Sequence, residues 1–361
     1  MDEPKIAVFA GDGIGDEVMA SATTAIEALE RRFNFKLSMT AYDGGAAYYR
    51  ETGKELADGA FEAARTADAI LFGAMGLPDV RLPDGTEVAP HLKMRDAFGL
   101  FAGVRPVKKY PNVPSPLGDP RAEDIDLIIL RESTEGLFAS AGKGTIEDDQ
   151  VARDTMVITR ATSEKLFDFA FKLARRRAER GVGKGRVTCV DKSNVFVSMA
   201  FFRKIFDERA PAFADIEADH SYVDAAALNL VRHPWDFDVL VMENMFADIL
   251  SDLGGGLVGG MGMAPCAEIG LDHALFQPAH GSAPDIAGEG KANPTAMLVS
   301  AAMMLDWLGE RRSDEALTRA GAALDSAVYR AFADGAVRPY EFGGDTGTDR
   351  FTDAVIERIR S

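Results

Sequence analysis

The chain has 361 residues, of which 47% are hydrophobic and 27% charged, the composition of an ordinary globular protein with one or two domains. Its net charge of −17 excludes a general binder of nucleic acids or anionic membranes, because such proteins need clustered positive charge. No signal-peptide pattern or membrane-length apolar run is present, and Cys189 and Cys266 lie in apolar runs. We therefore expect a cytoplasmic protein with buried thiols rather than disulfides.

The first part of the chain alternates strands with helices. Apolar runs predict strands at 5–10, 35–41 and 69–73, and helices at 16–31 and 56–66. This alternation predicts an open, largely parallel α/β sheet covered on both faces. The glycine loop after the first strand is spaced G-x-G-x-G, which differs from the G-x-G-x-x-G dinucleotide fingerprint. We interpret it as a tight turn beside a ligand.

Three arginines occur at the ends of consecutive predicted elements. The segment 76–90 is rich in Pro, Gly and Asp, and loops of this length are often functional. The next elements carry Arg95, Arg105 and Arg131. A single arginine at a strand end usually forms a surface salt bridge, but three flanking loops indicate a clamp for carboxylates, which guanidinium groups bind bidentately.

The middle of the chain carries a lysine at the end of a buried strand. The polar stretch 140–158 indicates a hairpin arm, and a helix is predicted at 162–180. The strand 186–190 then leads to Lys192, a position where desolvation favours the neutral amine and allows the lysine to act as a base. This signal alone is weak. Further helices at 196–209 and 222–231 follow, the second carrying Asp224.

The last part of the chain contains a glycine-rich crossing and a second candidate ligand loop. The run 254–262 is interpreted as a crossing between domains. The loop 277–288 combines Gly, Ser and Pro with a carboxylate, so it can present backbone N–H groups and an acceptor to a ribose-like ligand. Helices at 294–309, 314–333 and 348–360 are predicted to cover the sheet.

A helix following the strand 237–243 carries two aspartates on one face. Asp248 and Asp252 are four residues apart, a spacing at which like charges destabilise a helix by about 0.2–0.5 kcal/mol. Mg²⁺ or Mn²⁺ would compensate, because hard cations take carboxylate oxygens. An acidic solvated face is the simpler alternative. The apolar neighbours Met245, Phe246 and Ile249 favour a helix packed into a cleft.

Taken together, these motifs resemble the β-decarboxylating dehydrogenases, the family of isocitrate, 3-isopropylmalate, homoisocitrate, tartrate and D-malate dehydrogenases. The resemblance covers essentially the whole chain. It rests on seven motifs in the family's order, namely 11–15, Arg95 with Arg105, 131–135, 191–194, 222–224, 244–252 and 280–285.

The resemblance implies a two-domain α/β fold with open, mostly parallel sheets, covering helices and an active site in the interdomain cleft. Residues 1–100 and 259–361 would form a discontinuous cofactor-binding domain. Residues 101–258 would form the domain for substrate, metal and dimerisation. The implied partner is a second copy of the chain, since Lys192 and Asp224 would be shared across the interface of a homodimer.

The resemblance also implies an NAD- and Mg²⁺- or Mn²⁺-dependent oxidative decarboxylation of a (2R)-malate-type acid. The carboxylate of Asp285 would accept hydrogen bonds from the adenosine ribose hydroxyls and would repel a 2′-phosphate, which favours NAD over NADP. The implied site residues are the metal ligands Asp224, Asp248 and Asp252, the carboxylate-binding Arg95, Arg105 and Arg131, the substrate-selecting His91 and Leu92, the proton-transfer pair Lys192 and Asp224, and the cofactor-binding His280, Gly281, Ser282, Ala283, Asp285 and Asn293.

Two departures from the family pattern bear on the substrate and the outcome. Phe138 stands where the family usually has the tyrosine that protonates the enol intermediate, so ketonisation needs another donor, a water or a different outcome. Of the isopropylmalate pattern in 88–95 only Leu92 remains, and a substrate-facing His91 would fit a small or polar substituent. A 3-isopropylmalate-like acid is the expected substrate. D-malate or tartrate is the alternative, and a non-catalytic regulatory subunit is the alternative of another class.

Overall fold

In a computed structural model of the chain, which describes residues 2–361, twelve strands and eleven helices alternate along the sequence. The strands are β1 (Lys5–Gly11), β2 (Ser38–Ala41), β3 (Ala69–Ala74), β4 (Ala102–Lys108), β5 (Asp126–Glu132), β6 (Thr145–Glu147), β7 (Val151–Arg153), β8 (Arg186–Asp191), β9 (Glu217–Tyr222), β10 (Val239–Met242), β11 (Pro265–Ile269) and β12 (Ala274–Pro278). The helices are α1 (Gly15–Phe33), α2 (Ala46–Thr52), α3 (Ala60–Thr66), α4 (Pro90–Ala97), α5 (Arg160–Glu179), α6 (Val197–Arg209), α7 (Val223–Arg232), α8 (Asn244–Leu257), α9 (Thr295–Arg312), α10 (Glu315–Ala333) and α11 (Thr348–Arg360).

The chain divides into two compact units. The first unit comprises the described residues up to Phe98, then Tyr110–Pro114 and Gly259–Ser361; the second comprises Gly99–Lys109 and Ser115–Val258. The sequence placed the boundaries at 100 and 258 and assigned 110–114 to the second domain. These five residues lie in the first unit because the Tyr110 ring packs on Phe332 and the Asn112 side chain donates to its carbonyl oxygen at 2.8 Å.

The first unit contains five adjacent sheet strands in the order β2-β1-β3-β12-β11. These strands are parallel except β11, which runs antiparallel to β12. Every residue of β3, β11 and β12 is buried, as expected for apolar strands covered on both faces. Helix α9 packs on β11, β12 and α10, and almost its whole length is buried.

The loop after β1 is held by a buried carboxylate. Asp12 accepts three backbone hydrogen bonds of 2.8 Å, from Ala46, Ala47 and Gly76. The first two come from the start of α2, where Asp12 satisfies N–H groups that lack partners within the helix. Asp12 therefore fixes the glycine loop, the beginning of α2 and the end of the segment after β3 to one another.

The second unit contains five further adjacent sheet strands, in the order β4-β5-β10-β8-β9. They are parallel except for β4, which is antiparallel to β5. Helices α5 and α6 pack together through phenylalanine rings, with Phe167 and Phe202 4.6 Å apart and Phe171 and Phe206 5.2 Å apart. The mostly parallel α/β class predicted from the sequence is confirmed.

Three local features refine the predictions. The stretch 140–158 contains the antiparallel hairpin of β6 and β7, all of whose residues are exposed. Helix α2 was not predicted. The glycine run expected as a crossing from 254 is still helical up to Leu257, and only residues 258–262 leave the helix. Among residues 2–361, no helix combines the length and apolar character needed to cross a membrane.

Candidate active site

Helix α8 brings two carboxylates and two arginines together in the second unit. The helix begins immediately after the buried strand β10, and Glu243 caps it by accepting the Phe246 N–H at 2.9 Å. Asp248 and Asp252 follow on the same face, one turn apart. This local arrangement confirms the predicted helix and its acidic face.

Two arginines from the neighbouring strands β4 and β5 lie against α8. Arg131, at the end of β5, donates from Nε to the Asn244 side-chain oxygen at 2.9 Å and forms an ion pair with Asp248. Arg105, on β4, lies 3.5 Å from the hydroxyl of Ser251, which is also on α8. Both arginines are buried, whereas Asp248 and Asp252 remain accessible to solvent.

The electrostatics of Asp252 fit a cation beside it. Burial of its carboxylate is the largest cause that raises the pKa of Asp252, and the charge of Asp248 raises it further, whereas Arg105 and Arg131 act in the opposite direction. The pair of anions is therefore unfavourable by itself. A hard divalent cation such as Mg²⁺ or Mn²⁺ would relieve the repulsion, and the donor set of carboxylate oxygens is the one such ions take.

A second ionic pair lies at the ends of β8 and β9. Lys192 Nζ donates to Asp224 Oδ1 at 2.7 Å, and the Tyr222 ring centroid lies 5.7 Å from the ammonium. This hydrogen bond is the main cause that lowers the pKa of Asp224. Asp224 thus stays ionised, as a proton acceptor or metal ligand must.

The three predicted metal ligands do not meet within one chain. Across residues 2–361, no three His, Cys, Asp or Glu side chains are grouped so that they could hold a metal ion. Asp248 and Asp252 lie on α8, whereas Asp224 lies on α7 and forms an ion pair with Lys192.

A cavity of about 520 Å³ lies in the first unit, within the size range of roughly 300–1,000 Å³ that is typical of ligand pockets. Its walls come from the glycine loop, the loop after β12 and the segment 340–341. They are formed by Ile14, Met261, Gly262, His280, Gly281, Ala283, Ile286, Lys291, Ala292, Asn293, Tyr340 and Glu341. The interpretation of the glycine loop as a turn beside a ligand agrees with Ile14 in this wall.

His280 offers the cavity an unsatisfied polar atom. Its Nδ1 lies 2.9 Å from the Gly281 carbonyl oxygen, whereas its buried Nε2 has no hydrogen-bond partner within residues 2–361. Burial is the largest cause that lowers the pKa of His280, so the ring is neutral at physiological pH. A ligand with a polar group near this atom, such as a nucleotide, would satisfy it, and the cavity fits NAD in this respect.

The remaining predicted cofactor residues have different surroundings. Asn293 lines the cavity, and its amide donates to Glu341 at 2.9 Å. Ser282 is buried and its hydroxyl donates to the Gly76 carbonyl, so its side chain shapes the loop. A Cβ on Gly13 would lie 2.0 Å from the Ser282 carbonyl oxygen, which explains the glycine there. Asp285 is exposed and stands next to the lining residue Ile286.

Helix α4 carries the other predicted substrate residues. Arg95 is buried and donates from Nη2 to Glu268 Oε1 at 2.8 Å. The His91 ring packs against Phe72, with centroids 5.6 Å apart, while Leu92 is 44% exposed. Val88, in the segment where we expected substrate selection, is buried with Ala46 in a small core of its own.

Three functional candidates were missed from the sequence. Glu268 is the acid within an otherwise apolar strand, and that contrast was the available signal. Tyr340 and Glu341 reach the cavity from a part of the 361-residue chain far from its other walls in sequence, and no local pattern marks them.

The comparisons with known proteins agree with this architecture. The sequence model of the isocitrate/isopropylmalate dehydrogenase family matches residues 5–355. The chain is 40% identical to the 3-isopropylmalate/3-methylmalate dehydrogenase of Methanocaldococcus jannaschii, over 99% of both chains. It is 38% identical to the 3-isopropylmalate dehydrogenase of Bacillus cereus, over 99% of this chain and 97% of that protein. The isocitrate dehydrogenase structure from Methylococcus capsulatus superposes with a TM-score of 0.84 at 34% identity, over 99% of this chain and 100% of that one.

Fold and site together define a dehydrogenase of the β-decarboxylating type, built from two α/β units. The chain belongs to the isocitrate/isopropylmalate dehydrogenase family.

Proposed function

We propose that the chain catalyses the NAD- and Mg²⁺- or Mn²⁺-dependent oxidative decarboxylation of a (2R)-malate-type acid, with a 3-isopropylmalate-like acid as the first candidate. The observation that carries this proposal is the arrangement on α8, where Asp248 and Asp252 face the buried guanidinium groups of Arg131 and Arg105. The two aspartates could bind a metal ion, and the two arginines beside them could bind substrate carboxylates. The chelation of a hydroxy acid requires both kinds of group side by side.

In the proposed reaction the residues of the chain bind, orient and move protons. Arg95, Arg105 and Arg131 bind the substrate carboxylates and fix the hydroxyl-bearing carbon. Lys192 and Asp224, paired at 2.7 Å, move the hydroxyl proton: Asp224 accepts a proton from the ammonium, and the neutral amine so formed takes the proton of the hydroxyl. A divalent cation on Asp224, Asp248 and Asp252 would act as a Lewis acid for the developing alkoxide and enolate.

We place the nicotinamide cofactor in the cavity of the first unit. His280, Gly281 and Ala283 line it with Asn293, and Ser282 shapes the loop that carries them. The exposed carboxylate of Asp285 beside the cavity would accept ribose hydroxyls and repel a 2′-phosphate, which favours NAD over NADP.

We propose a homodimer in which Lys192 and Asp224 serve the site of the other subunit. In a single chain Asp224 is not grouped with Asp248 and Asp252. The second unit also exposes many large apolar side chains, whose contact with water is unfavourable. They include Ile146 and Val151 on the hairpin, Val195, Phe196 and Val197 before and at the start of α6, Leu228 and Val231 on α7, and Ile249 on α8. The buried free thiols of Cys189 and Cys266 suit a cytoplasmic setting.

The substrate alternative is D-malate or tartrate. Leu92 is exposed and could contact an apolar substituent, but His91 packs against Phe72 beside it and would favour a smaller or more polar group. The test is NADH formation with Mn²⁺ and NAD⁺ across 3-isopropylmalate, D-malate, the tartrates, isocitrate and homoisocitrate. Turnover of one dicarboxylate supports the proposal. Absence of turnover with every acid by the purified homodimer would favour the regulatory-subunit alternative.

Phe138 favours a second outcome for the same site. Its ring centroid lies 5.0 Å from the Arg131 guanidinium carbon, so the residue that lacks a transferable proton borders the proposed substrate site. Release of some β-keto acid before CO₂ is lost would follow if decarboxylation is slow, or if the enol is protonated so slowly that CO₂ adds back to it. The ratio of CO₂ to NADH tests this: a ratio near one contradicts early release, and trapping of a carboxylated keto acid supports it.

A further inference from the structure

A buried acid neutralises one of the three predicted substrate arginines. Arg95 Nη2 and Glu268 Oε1 are 2.8 Å apart, and their side chains are only 8% and 1% exposed. Glu268 lies in β11, whose other residues are Pro, Cys, Ala and Ile, all buried. The Cys266 thiol is 3.6 Å from the same carboxylate oxygen. An ionised acid in such surroundings needs its cationic partner, so Glu268 and Arg95 depend on each other.

The ion pair with Glu268 leaves Arg95 able to bind a ligand but compensates the positive charge of its guanidinium group. A guanidinium group has five N–H donors, and Glu268 takes a donor on Nη2. The buried Nε of Arg95 has no hydrogen-bond partner within residues 2–361. Arg95 can therefore donate to a substrate oxygen in an orientation that Glu268 fixes. Because both groups are buried, a ligand there meets a neutral pair rather than a full positive charge.

We propose that Glu268 is a positioning residue that sets the charge of the acid accepted by the site, favouring dianionic malate-type acids over tricarboxylates such as isocitrate. The inference rests on the proposed function, in which Arg95 binds a substrate carboxylate. A third substrate carboxylate at Arg95 therefore meets a compensated rather than a free positive charge, and specificity arises from this deficit as well as from pocket shape.

The test is substrate preference in Glu268→Gln. Glutamine retains an oxygen for Arg95 and removes only the negative charge. We expect kcat/KM for isocitrate, relative to that for the preferred dicarboxylate, to rise at least about tenfold, mainly through a lower KM for isocitrate. Glu268→Asp keeps the charge and should keep the wild-type preference. Asp238→Asn is the matched control, because it neutralises the acid of another buried pair, with Arg177 at 2.8 Å, and should leave the preference unchanged.

The outcomes separate this inference from the proposed function. An active Glu268→Gln enzyme with the wild-type preference overturns the role of Glu268 while leaving the dehydrogenase activity in place. A wild-type enzyme that turns over no acid overturns the proposed function itself. If Glu268→Gln does not fold, the wild-type enzyme provides the test through competitive inhibition. Weaker inhibition by tricarballylate than by glutarate supports the inference, and equal or stronger inhibition overturns it.

Discussion

Lys192 Nζ and Asp224 Oδ1 are 2.7 Å apart in the folded chain, although the residues are separated by 32 positions in sequence. Lys192 follows β8, and Asp224 lies in the first turn of α7. A carboxylate near a helix N-terminus is stabilised as an anion, and here it also orients the ammonium. The pair is thus prepared both to hold and to release a proton.

Replacing Lys192 by Ala should reduce turnover by about 10²- to 10⁴-fold, the usual contribution of a positioned general base. Lys204→Ala is the matched control, because Lys204 is an exposed lysine that pairs with Glu208 one turn further along the same helix, α6. NADH formation measures the effect, and circular dichroism checks the fold. Equal activity in both variants would remove Lys192 from the reaction.

Replacing Asp252 by Asn should raise the Mg²⁺ or Mn²⁺ concentration needed for half-maximal activity at least about tenfold. The variant removes one anionic oxygen ligand and also relieves the repulsion from Asp248 that raises the pKa of Asp252. Titration of activity with metal measures this, and metal binding followed by calorimetry gives a readout independent of turnover. Glu179→Gln, an exposed acid on α5, should leave the titration unchanged. A shift shared by both variants would indicate a general charge effect.

Replacing Asp285 by Ser should raise the preference for NADP relative to NAD about tenfold, as expected for the loss of about 1.4 kcal/mol of discrimination. The exposed carboxylate would otherwise repel a 2′-phosphate. The measurement is the ratio of kcat/KM for the two cofactors. Asp272→Asn, an exposed acid in the turn before β12, is the control and should not alter the ratio. An unchanged ratio in Asp285→Ser would place the ribose elsewhere.

Replacing Phe138 by Tyr should raise the yield of CO₂ per NADH if the wild-type enzyme releases keto acid early. The new hydroxyl would lie at the ring that now packs 5.0 Å from the Arg131 guanidinium carbon, where a proton donated to the enol would prevent CO₂ from adding back. Phe138→Leu separates the effect of the hydroxyl from that of removing the ring. A higher yield in both variants, or in neither, would argue against the proton donor.

Two buried acids should make the chain less stable as the pH rises. Burial raises the pKa of Glu132 from 4.5 to about 7, and it is also the largest cause that raises the pKa of Glu243. Between pH 4.5 and 7 the folded state therefore holds protons that the unfolded chain has released. Since the folded state binds more protons there, the free energy of unfolding falls with increasing pH.

Replacing Glu243 by Gln isolates one of these acids. Glutamine keeps an oxygen for the Phe246 N–H, and it substitutes an amide for Oε2, which has no hydrogen-bond partner within residues 2–361. Relative to wild type, the variant should become more stable as the pH rises from 5 to 8, because glutamine brings no charge that must be buried when Glu243 ionises. Urea unfolding at both pH values measures the gain. A constant difference between variant and wild type would show that Glu243 does not titrate in this range.

The elements that hold the candidate site could be predicted because their signals are local. The apolar run before Lys192 and the spacing of Asp248 and Asp252 define a strand and a helix face without any tertiary information. Helix α2 could not be predicted in this way, because Asp12, 34 residues before Ala46, satisfies its first N–H groups. The contact of Arg95 with Glu268 spans 173 residues and likewise depends on the folded sheet.

One position was misjudged for reasons of packing. Gly254 suggested a loop, but a Cβ there would lie 2.6 Å from a methyl group of Val107, so the glycine allows α8 to lie close to β4. Glycine serves both in loops and at close helix–strand contacts, and the sequence alone does not distinguish the two roles.

The order of strands in the first unit has a consequence for synthesis on the ribosome. β3 ends at Ala74, and its parallel neighbour β12 begins at Ala274, 274 − 74 = 200 residues later. At about 5–20 residues per second, translation takes roughly 10–40 seconds to cover that distance. During this interval the apolar edge of β3 has no native neighbour on that side, so the nascent chain exposes a strand that can pair with other chains. Chaperone binding to the emerging N-terminal segment would protect this edge until the C-terminal strands complete the sheet.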